Sequence, residues 1–289
     1  MNVLEILISY VIRLRKFCKD FFYNLEGTIM KIACIQVDIQ FGKPDENYKH
    51  IENKIRKAVK DHNPDTIVLP ELWDTGYDLT RLDEISDHDG EKAKKWLSEL
   101  SKELDTNIVG GSIAYRESNS VYNTSLTYNR NGEHVGTYSK AHLITLMEEE
   151  KYISPGSNSN LFTIDGNLST LAICYDIRFP EWIRAPFLKG AKILFVPAEW
   201  PIQRQSHWRA LLIARAIENQ CYVIACNRVG SDPKNTFAGQ SLIIDPWGDI
   251  IAEGSVHEEE ILTAEISPEL VDEVRVKVPV FNDRRTDLY

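Results

Sequence analysis

Cys174 is the residue whose surroundings most strongly suggest chemistry. The segment around it reads LAICYDIRFPE (171–181), in which an apolar run ends at the cysteine and polar residues follow. Such a run predicts a buried strand that presents a reactive residue at its carboxyl end. A thiol is intrinsically nucleophilic and needs only a base to remove its proton. Because a lone cysteine is more often a buried structural residue, its role depends on which other residues accompany it.

Two further segments end in residues that could take part in catalysis. TIVLPE (66–71) is an apolar run that stops at Glu71, and TYSKAHL (137–143), which follows a hairpin pattern at Asn131-Gly132, presents Lys140. Either charge alone would be interpreted as a surface residue. Together with Cys174 they supply a base, a cation and a nucleophile, each at a strand end or in the loop after it. This set of groups is what the cleavage of an amide requires.

These groups suggest a mechanism through a thioester. We expect Glu71 to accept the thiol proton while the sulfur of Cys174 attacks the carbonyl carbon of a small amide. Lys140 and the backbone N–H of Tyr175 would then stabilise the negative oxygen of the tetrahedral intermediate. Ammonia leaves with the proton from Glu71, and water activated by the same carboxylate hydrolyses the thioester.

Composition narrows the class of protein. Of the 289 residues, 43% are hydrophobic, which is enough for a large buried core and unlike a disordered chain. A net charge of −10 disfavours nucleic acid as a partner. Five cysteines without the spacing of a disulfide framework favour a reducing cytoplasm. Since the sequence contains no zinc-binding motif, Walker loop or GxGxxG motif, we predict neither a metal nor a nucleotide cofactor.

Hydrophobic periodicity predicts strands and helices in alternation from Met30 onward. The predicted strands are 31–37, 66–69, 107–113, 123–128, 134–138, the strand before Cys174, 193–197, 222–226, 242–244, 250–252 and 262–266. The predicted helices are 45–60, 91–104, 181–189 and 206–219. Because no linker rich in Gly or Ser interrupts the alternation, the pattern indicates one α/β domain.

Residues 1–29 form a segment of their own. Residues 3–12 are almost wholly apolar, and basic residues follow them. The run is too short to span a bilayer, and its charges come after the apolar part, which is the reverse of a signal peptide. An amphipathic helical extension is predicted, and three interpretations stay open: a helix packed on the body or on a partner, a membrane-surface anchor, or an upstream extension that is not native. Packing or an extension is favoured because the apolar run is short.

From residue 30 onward the chain resembles the nitrilase superfamily of carbon–nitrogen hydrolases. The resemblance rests on PELW (70–73), SKAHL (139–143) and CYDIRFPE (174–181), in this order and spacing. It implies that the Glu–Lys–Cys triad of the superfamily falls on Glu71, Lys140 and Cys174. It also implies a four-layer α-β-β-α sandwich for residues 30–289 and a homodimer or higher homo-oligomer.

The resemblance further implies a second glutamate that positions the lysine or the substrate. Three glutamates run together at positions 148–150, before the turn SPG (154–156). Its spacing to that turn makes Glu149 the best match, although a run of acids is usually a solvated face.

Three charged residues near the predicted site have less certain roles. Arg204 follows another predicted strand end and could hold a substrate carboxylate, with simple surface exposure as the alternative. Asp176 and Arg178 flank the nucleophile and are interpreted as a structural ion pair under its loop.

The residues after the cysteine bear on the substrate. Nitrile-cleaving members usually follow the cysteine with Trp-Glu, whereas this chain has Tyr175-Asp176, which favours amides. Segments at 200–201, 207–208, 227–230 and 279–289 are similar to the ω-amidase branch, which hydrolyses the terminal amide of short dicarboxylate monoamides such as 2-oxoglutaramate. The alternatives are an N-carbamoyl or other aliphatic amide hydrolase, acyl transfer to an amine, and a non-catalytic member that binds partners through the first helix. The presence of all three triad residues counts against the last alternative.

Overall fold

Residues 29–288 are described by a computed structural model, whose two β-sheets pack face to face between helical layers. The strands are β1 (Met30–Gln36), β2 (Thr66–Val68), β3 (Asp87–His88), β4 (Asn107–Val109), β5 (Ile113–Glu117), β6 (Ser120–Tyr128), β7 (His134–Ser139), β8 (Phe162–Ile164), β9 (Asn167–Leu171), β10 (Ile193–Ala198), β11 (Tyr222–Asn227), β12 (Leu242–Ile244), β13 (Ile250–Glu253) and β14 (Glu260–Ile266). The helices are α1 (Pro44–His62), α2 (Leu82–Ile85), α3 (Glu91–Glu103), α4 (Pro180–Phe187), α5 (Gln205–Asn219) and α6 (Glu269–Lys277). The extension predicted for residues 1–29 lies outside the described residues, apart from Ile29.

The two sheets have similar arrangements around parallel strands. In the first sheet the order is β14-β1-β2-β4-β6-β5-β3, with β7 also paired to β6, and β1, β2 and β4 are parallel. In the second sheet the order is β13-β12-β11-β10-β9-β8, and β9, β10 and β11 are parallel. Parallel strands end at one edge of their sheet, so the loops after them gather there.

Alternating side chains of β1 show how the layers form. Ile32 and Cys34 belong to the apolar cluster that includes β10 and β11, whereas Ala33 and Ile35 belong to the cluster with α1 and α3. Successive side chains of a strand point to opposite faces, so β1 packs on the second sheet with one face and on helices with the other. Residues of α4 and α5 pack on the second sheet. The predicted four-layer α-β-β-α sandwich is confirmed.

Helix α1 shows how local sequence determines where a helix begins, where it ends and which face it buries. Pro44 begins it with a backbone angle suited to a first turn, and Asn63 ends it in a left-handed conformation with φ of 47°. Its buried stripe on the first sheet has helical spacing and comprises Tyr48, Ile51, Ile55 and Ala58. No helix within residues 29–288 has the length and apolar character needed to cross a membrane.

Most predicted elements form, and the departures have local causes. The predicted strand 107–113 is two strands, because Gly110-Gly111 interrupts it and Gly111 has φ of +59°. The strand before the cysteine ends at Leu171 and not at Cys174. Helix α6 was not predicted, since its mixed charged and β-branched sequence gives a weak periodic signal.

Candidate active site

Cys174 lies where the chain leaves the second sheet. After β9 ends, Ala172 and Ile173 continue in extended form, and Cys174 begins a 3₁₀ turn that runs to Arg178. The residue is buried and has a φ of 45°, a left-handed conformation that is uncommon for side chains other than glycine. Strained residues of this kind concentrate at functional sites and are held by their surroundings. Leu72 and Glu148, each next to a predicted site residue, also have positive φ.

The turn that carries Cys174 is tied to the strand that carries Lys140 through Asp176. One oxygen of the buried Asp176 carboxylate accepts hydrogen bonds from the hydroxyl of Tyr138 at 2.7 Å and the N–H of Ile173 at 2.9 Å. The other oxygen accepts from the backbone N–H of His142 at 3.0 Å and lies 2.8 Å from its Nδ1. The predicted Asp176–Arg178 ion pair is wrong, because these groups already occupy both carboxylate oxygens.

Glu71, Lys140 and Glu149 meet in a fully buried cage. The Lys140 ammonium lies 2.8 Å from Glu71 Oε1 and 2.7 Å from Glu149 Oε1. Glu149 Oε2 accepts from the backbone N–H of Ile144 at 2.7 Å, which fixes the loop between the lysine and the second glutamate. Glu71 follows β2 and Lys140 follows β7, so the carboxyl end of each strand delivers one member of the cage.

Further groups hold the Glu71 carboxylate from three sides. Its Oε1 also accepts from Asn123 Nδ2 at 2.8 Å and lies 3.2 Å from the Tyr77 hydroxyl. Its Oε2 accepts from the backbone N–H of Glu199 at 2.8 Å. Glu199 follows β10 of the second sheet, so this last hydrogen bond connects the carboxyl end of a strand in one sheet to the carboxyl end of a strand in the other. The Tyr77 hydroxyl donates to Glu149 Oε1 at 2.8 Å.

The electrostatics of the cage keep Lys140 charged. Burial by itself would lower the pKa of Lys140, but the Glu149 and Glu71 carboxylates outweigh it and raise that pKa well above its ordinary value. The pKa of Glu149 is raised, first by burial and then by the nearby Glu71 charge, although Lys140 opposes both. This shift favours the protonated, positively charged form of Lys140.

Cys174 rests as a protonated thiol. Burial, and after it the Glu71 carboxylate, raises the pKa of Cys174 well above its ordinary value, while Lys140 acts in the opposite direction. Because the thiolate is the nucleophile, the proton has to move to a base as the sulfur attacks. Glu71 is the carboxylate with the largest effect on the pKa of Cys174.

Tyr175 and Arg178 belong to the turn that carries Cys174, and the charge of Arg204 acts on Arg178. The Arg178 guanidinium stacks 4.7 Å from the ring centre of Trp200 and lies 5.8 Å from that of Tyr175. Burial lowers the pKa of Arg178, and the charge of Arg204 adds to this effect. Arg204 is half-buried in a 3₁₀ turn, and no contact to Lys140 or Cys174 is found for it. Neither guanidinium pairs with a carboxylate in the described part of the chain.

A cavity of about 590 Å³ opens beside the cage. Loops that follow β1, β2, β7 and β11 line it, including Phe41, Tyr77, Leu146 and Lys234. Tyr77 belongs to both places, because its side chain lines the cavity while its hydroxyl contacts Glu71 and Glu149. Cys174 is not among the residues that line this cavity. Within residues 29–288 no group of three or more His, Cys, Asp and Glu side chains could hold a metal ion.

Sequence reasoning found the charged core of the cage but missed the groups that orient it. Tyr77, Asn123 and Glu199 contact Glu71 from three different loops or strands, and Arg178 was assigned to the wrong partner. The only local signal was position, since Tyr77 and Glu199 each follow a predicted strand end. Their contacts depend on how the strands pair.

Comparison with known proteins agrees with this geometry. Residues 31–276 match the carbon-nitrogen hydrolase family. The chain is 54% identical over 258 residues to a protein of Bacillus subtilis named 2-oxoglutaramate amidase, covering 89% of this chain and 98% of that protein. It is 30% identical over 272 residues to the human protein named omega-amidase NIT2, covering 91% and 97% of the two chains.

A solved structure gives the same answer for the fold. Saccharomyces cerevisiae Nit3, described as a member of branch 10 of the nitrilase superfamily, superimposes with a TM-score of 0.82 at 28% identity, covering 89% of this chain and 97% of that one. With the family match extending over most of its length, this chain belongs to the carbon-nitrogen hydrolases of the nitrilase superfamily and is an enzyme that hydrolyses carbon–nitrogen bonds.

Proposed function

We propose that the protein is an ω-amidase, which cleaves the terminal carboxamide of a small dicarboxylate monoamide such as 2-oxoglutaramate. The observation that carries the proposal is the buried Lys140 ammonium held between the Glu71 and Glu149 carboxylates, with a buried Cys174 thiol whose pKa the Glu71 carboxylate raises. Relatives named 2-oxoglutaramate amidase and omega-amidase support the choice of substrate.

In the proposed reaction Cys174 is the nucleophile and Glu71 is the base. Sγ forms a bond to the carboxamide carbon while the thiol proton moves to Glu71, and the carbonyl oxygen becomes negative. Lys140 and the Tyr175 N–H stabilise that oxygen, and one such donor contributes about 3 to 4 kcal/mol to lowering the barrier. The C–N bond breaks as Glu71 returns the proton to nitrogen, so ammonia leaves and a thioester remains. Water, losing a proton to Glu71, then attacks the thioester, and the carboxylic acid and the thiol are released.

We propose that Arg178 and Arg204 bind the carboxylate of the substrate. Arg178 belongs to the turn that carries Cys174, and its guanidinium lies 4.7 Å from the ring centre of Trp200. Arg204 is close enough to Arg178 for its charge to lower the pKa of Arg178. A planar guanidinium binds a carboxylate through two parallel hydrogen bonds, which fixes the distance from that carboxylate to the reacting amide. Glu149 in this proposal positions Lys140 and does not itself bind substrate, because its two oxygens are taken by Lys140, Tyr77 and Ile144.

Ammonia release tests the proposed reaction. We expect the purified protein to hydrolyse 2-oxoglutaramate, and Cys174→Ala to lose at least about 10⁴-fold of this activity. Cys221→Ala is the matched control, since Cys221 is also buried but lies at the start of β11, the strand end opposite the site. Mass spectrometry of the parent should show an acyl adduct on Cys174. Faster hydrolysis of N-carbamoyl amino acids or of uncharged aliphatic amides would show that the protein is an N-carbamoyl amide or aliphatic amide hydrolase instead. Full activity of Cys174→Ala would exclude the proposed mechanism.

Kinetics of arginine variants test carboxylate recognition. Arg178→Met should reduce kcat/KM for 2-oxoglutaramate by about 10- to 100-fold, the effect of losing a hydrogen bond to a charged group. For butyramide, which has no carboxylate, the same variant should change kcat/KM by less than about threefold. Equal losses on both substrates would mean that Arg178 supports the nucleophile turn and not the substrate.

We further propose that the chain forms a homodimer or higher homo-oligomer. Exposed apolar side chains of α5 and of the β12–β13 turn lie near one another, because Ile217 is beside Gly248, the residue that follows Trp247. The Trp247 ring also lies 5.8 Å from Lys277 Nζ of α6. An exposed apolar area of this kind favours a second copy as its partner. Sedimentation should give a mass of two or more chains for the parent and of one chain for a double variant, Ile217→Glu with Trp247→Glu.

We propose residues 30–289 as the catalytic domain and residues 1–29 as an extension to it. Deletion of residues 1–29 should leave amidase activity within about twofold of the parent. Loss of activity would show that the extension belongs to the catalytic body. The reducing cytoplasm remains our proposed compartment, because the described cysteines, the proposed nucleophile among them, are free thiols.

A further inference from the structure

Glu199 is a buried acid for which the proposed mechanism has no use. It is the first residue after β10, and its side chain is fully buried. Its backbone N–H holds Glu71 Oε2 at 2.8 Å, so Glu199 is in direct contact with the proposed base. Its own carboxylate is anchored by Oε2, which accepts from Arg228 Nη1 at 3.1 Å.

Arg228 connects the loop after β10 to the ends of β1 and β11. This guanidinium is fully buried, stacks 4.2 Å from the ring centre of Phe237, and also donates from Nη2 to Asp38 Oδ1 at 2.7 Å and to the Ile39 carbonyl at 2.8 Å. Asp38 follows β1 and Arg228 follows β11, so Glu199 is held by strands of both sheets. The orientation of Glu71 therefore depends on this anchor.

Charge balance indicates that Glu199 is neutral. The single positive charge of Arg228 is already paired with Asp38 at the shorter distance, 2.7 Å against 3.1 Å. Glu199 Oε1 is buried and has no hydrogen-bond partner among the described residues. A buried carboxylate with one unpartnered oxygen is much more costly than a neutral carboxylic acid at the same place.

We propose that Glu199 is a positioning residue for Glu71, a neutral carboxylic acid locked by Arg228 so that its backbone N–H sets the orientation of the proposed base. This inference rests on the proposed amidase function for its role, although the neutrality of Glu199 is measurable without any substrate. The neutral acid keeps a second negative charge away from Glu71, and Arg228 keeps the N–H of Glu199 aimed at Oε2.

The ionisable groups around Glu199 are consistent with this proposal. Burial, and not any single neighbour, is the main reason that the pKa of Glu199 is raised to about 8, although Arg228 lowers it. Glu71 and Asp232 raise the same pKa, and the charge of Glu199 in turn affects Tyr77. Asp38 faces the network through Arg228.

Kinetics of two Glu199 variants test the positioning role. Glu199→Ala removes the anchor, so kcat should fall by about tenfold or more while KM changes by less than about twofold. Glu199→Gln keeps the shape and the neutral charge, so kcat should return to within about twofold of the parent. Gln220→Ala is the control, because Gln220 is also buried but lies at the opposite end of β11; it should lower stability and leave kcat unchanged. Unchanged kcat in Glu199→Ala, or a Glu199→Gln variant as slow as Glu199→Ala, would overturn the proposal.

The pH dependence of unfolding tests the neutrality of Glu199. With a pKa of 4.5 unfolded and about 8 folded, the folded parent binds an extra proton between these values, so its stability falls as pH rises from about 4.5 to about 8. Glu199→Gln lacks this effect. In urea unfolding, the free energy of unfolding of Glu199→Gln should therefore increase relative to that of the parent as pH rises over that range. Above about pH 8 the difference between the two proteins should stay constant. A parent that stays more stable than the variant by a constant amount would show an ionised Glu199 paired with Arg228.

Alkylation of Cys174 separates this proposal from the proposed function. Iodoacetamide reacts with the thiolate, so its rate depends on Glu71 whether or not the substrate is known. Glu199→Ala should slow alkylation, whereas Glu199→Gln and Gln220→Ala should not. If the parent released no ammonia from any amide but this pattern held, the proposed substrate would be wrong and the positioning role of Glu199 would stand. If the parent were an active amidase and Glu199→Ala were alkylated at the parental rate, only the positioning role would fail.

Discussion

At the scale of single residues, the site depends on a lysine that two glutamates share. Burying an ammonium is costly unless carboxylates at hydrogen-bond distance compensate for the lost hydration, and Lys140 has two such partners, at 2.8 and 2.7 Å. The same arrangement leaves Glu71 with several donors and hence a single orientation. The cage therefore has its cation and its base in place before substrate arrives, which is how preorganised sites lower a barrier.

Tyr77 is the neutral donor that links the two glutamates. Burial, followed by the charges of Glu149 and Glu71, raises the pKa of Tyr77 well above its ordinary value, so its hydroxyl keeps its proton. Tyr77→Phe removes a hydrogen bond to buried carboxylate, and we expect a loss of about 1.5 to 3 kcal/mol, or about 10- to 100-fold in kcat/KM. Steady-state kinetics measure this loss. Tyr152→Phe, a partly exposed tyrosine of the adjoining cavity, is the control and should behave as the parent; equal activity of the two variants would remove Tyr77 from the site.

At the scale of elements, the site is assembled from turns that follow strands. The 3₁₀ turn Cys174–Arg178 follows a strand of the second sheet, whereas β7 and the segment after it belong to the side of the first sheet. The carboxylate of Asp176 connects the two through hydrogen bonds from Tyr138 and His142. Tyr138, which donates to Asp176, also accepts from Trp182 Nε1 at 3.0 Å, so α4 joins the same network. The relative position of the Cys174 thiol and the Lys140 ammonium thus depends on one buried acid.

Asp176→Asn should therefore affect both stability and catalysis. The amide nitrogen cannot accept the hydrogen bonds of Tyr138 and Ile173, so we expect a loss of about 3 kcal/mol in the free energy of unfolding. We also expect kcat to fall by at least about tenfold, because the nucleophile and the cation lose their alignment. Urea unfolding and ammonia release measure the two effects. Asp272→Asn removes a more exposed carboxylate, 2.6 Å from Lys192 Nζ. This control should lower the free energy of unfolding by less than about 1 kcal/mol and leave kcat unchanged. A kcat loss of the same size in both variants would argue against the role of Asp176.

At the scale of the whole molecule, the layers are tied together behind the site. Glu259, in the loop between β13 and β14, accepts from His50 and Lys54 of α1, each at 2.7 Å, and from the Asp38 N–H at 2.9 Å. Asp38 in turn binds Arg228, so the helical layer, both sheets and the Glu199 network are connected. The loops that hold Glu71 therefore do not move independently of the surrounding layers.

This connection predicts a definite pH dependence of stability. Although burial opposes the shift, His50, Lys54 and the Asp38 N–H lower the pKa of Glu259 to about 2, below its ordinary 4.5. A lowered folded pKa gives stability that is present above about pH 4.5 and lost as pH falls towards about 2. Glu259→Gln should thus destabilise the protein by about 1 to 2 kcal/mol at neutral pH, a value reduced by solvent screening.

Urea unfolding at several pH values checks this expectation. The difference between the parent and Glu259→Gln should be constant above about pH 5 and become smaller as pH falls below about 4.5. Glu258→Gln, which changes an exposed neighbour, should show no difference at any pH. A difference that increases on acidification would contradict the assigned sign.

The amino-acid sequence is sufficient to predict which chemical groups are present and which strands and helices carry them. Apolar runs and helical stripes depend on local spacing, so the predicted strands before Glu71, Lys140 and Glu199 form nearly as expected. The nucleophile, base and cation were predicted for the same reason, because each follows a predicted strand; their roles stay a proposal. The second glutamate came from resemblance to a known family, since its neighbours Glu148 and Glu150 have the same local pattern.

Which of these groups are in contact depends on the three-dimensional fold. Lys140 lies 69 positions from Glu71 and Glu199 lies 128 positions from it, and such contacts depend on strand order and on how two sheets meet. Asp176 binds Tyr138 and His142 and not its neighbour Arg178, because a buried acid takes the donors that packing places within hydrogen-bond distance. That outcome leaves Arg178 on Trp200, in place for the substrate carboxylate in our proposal.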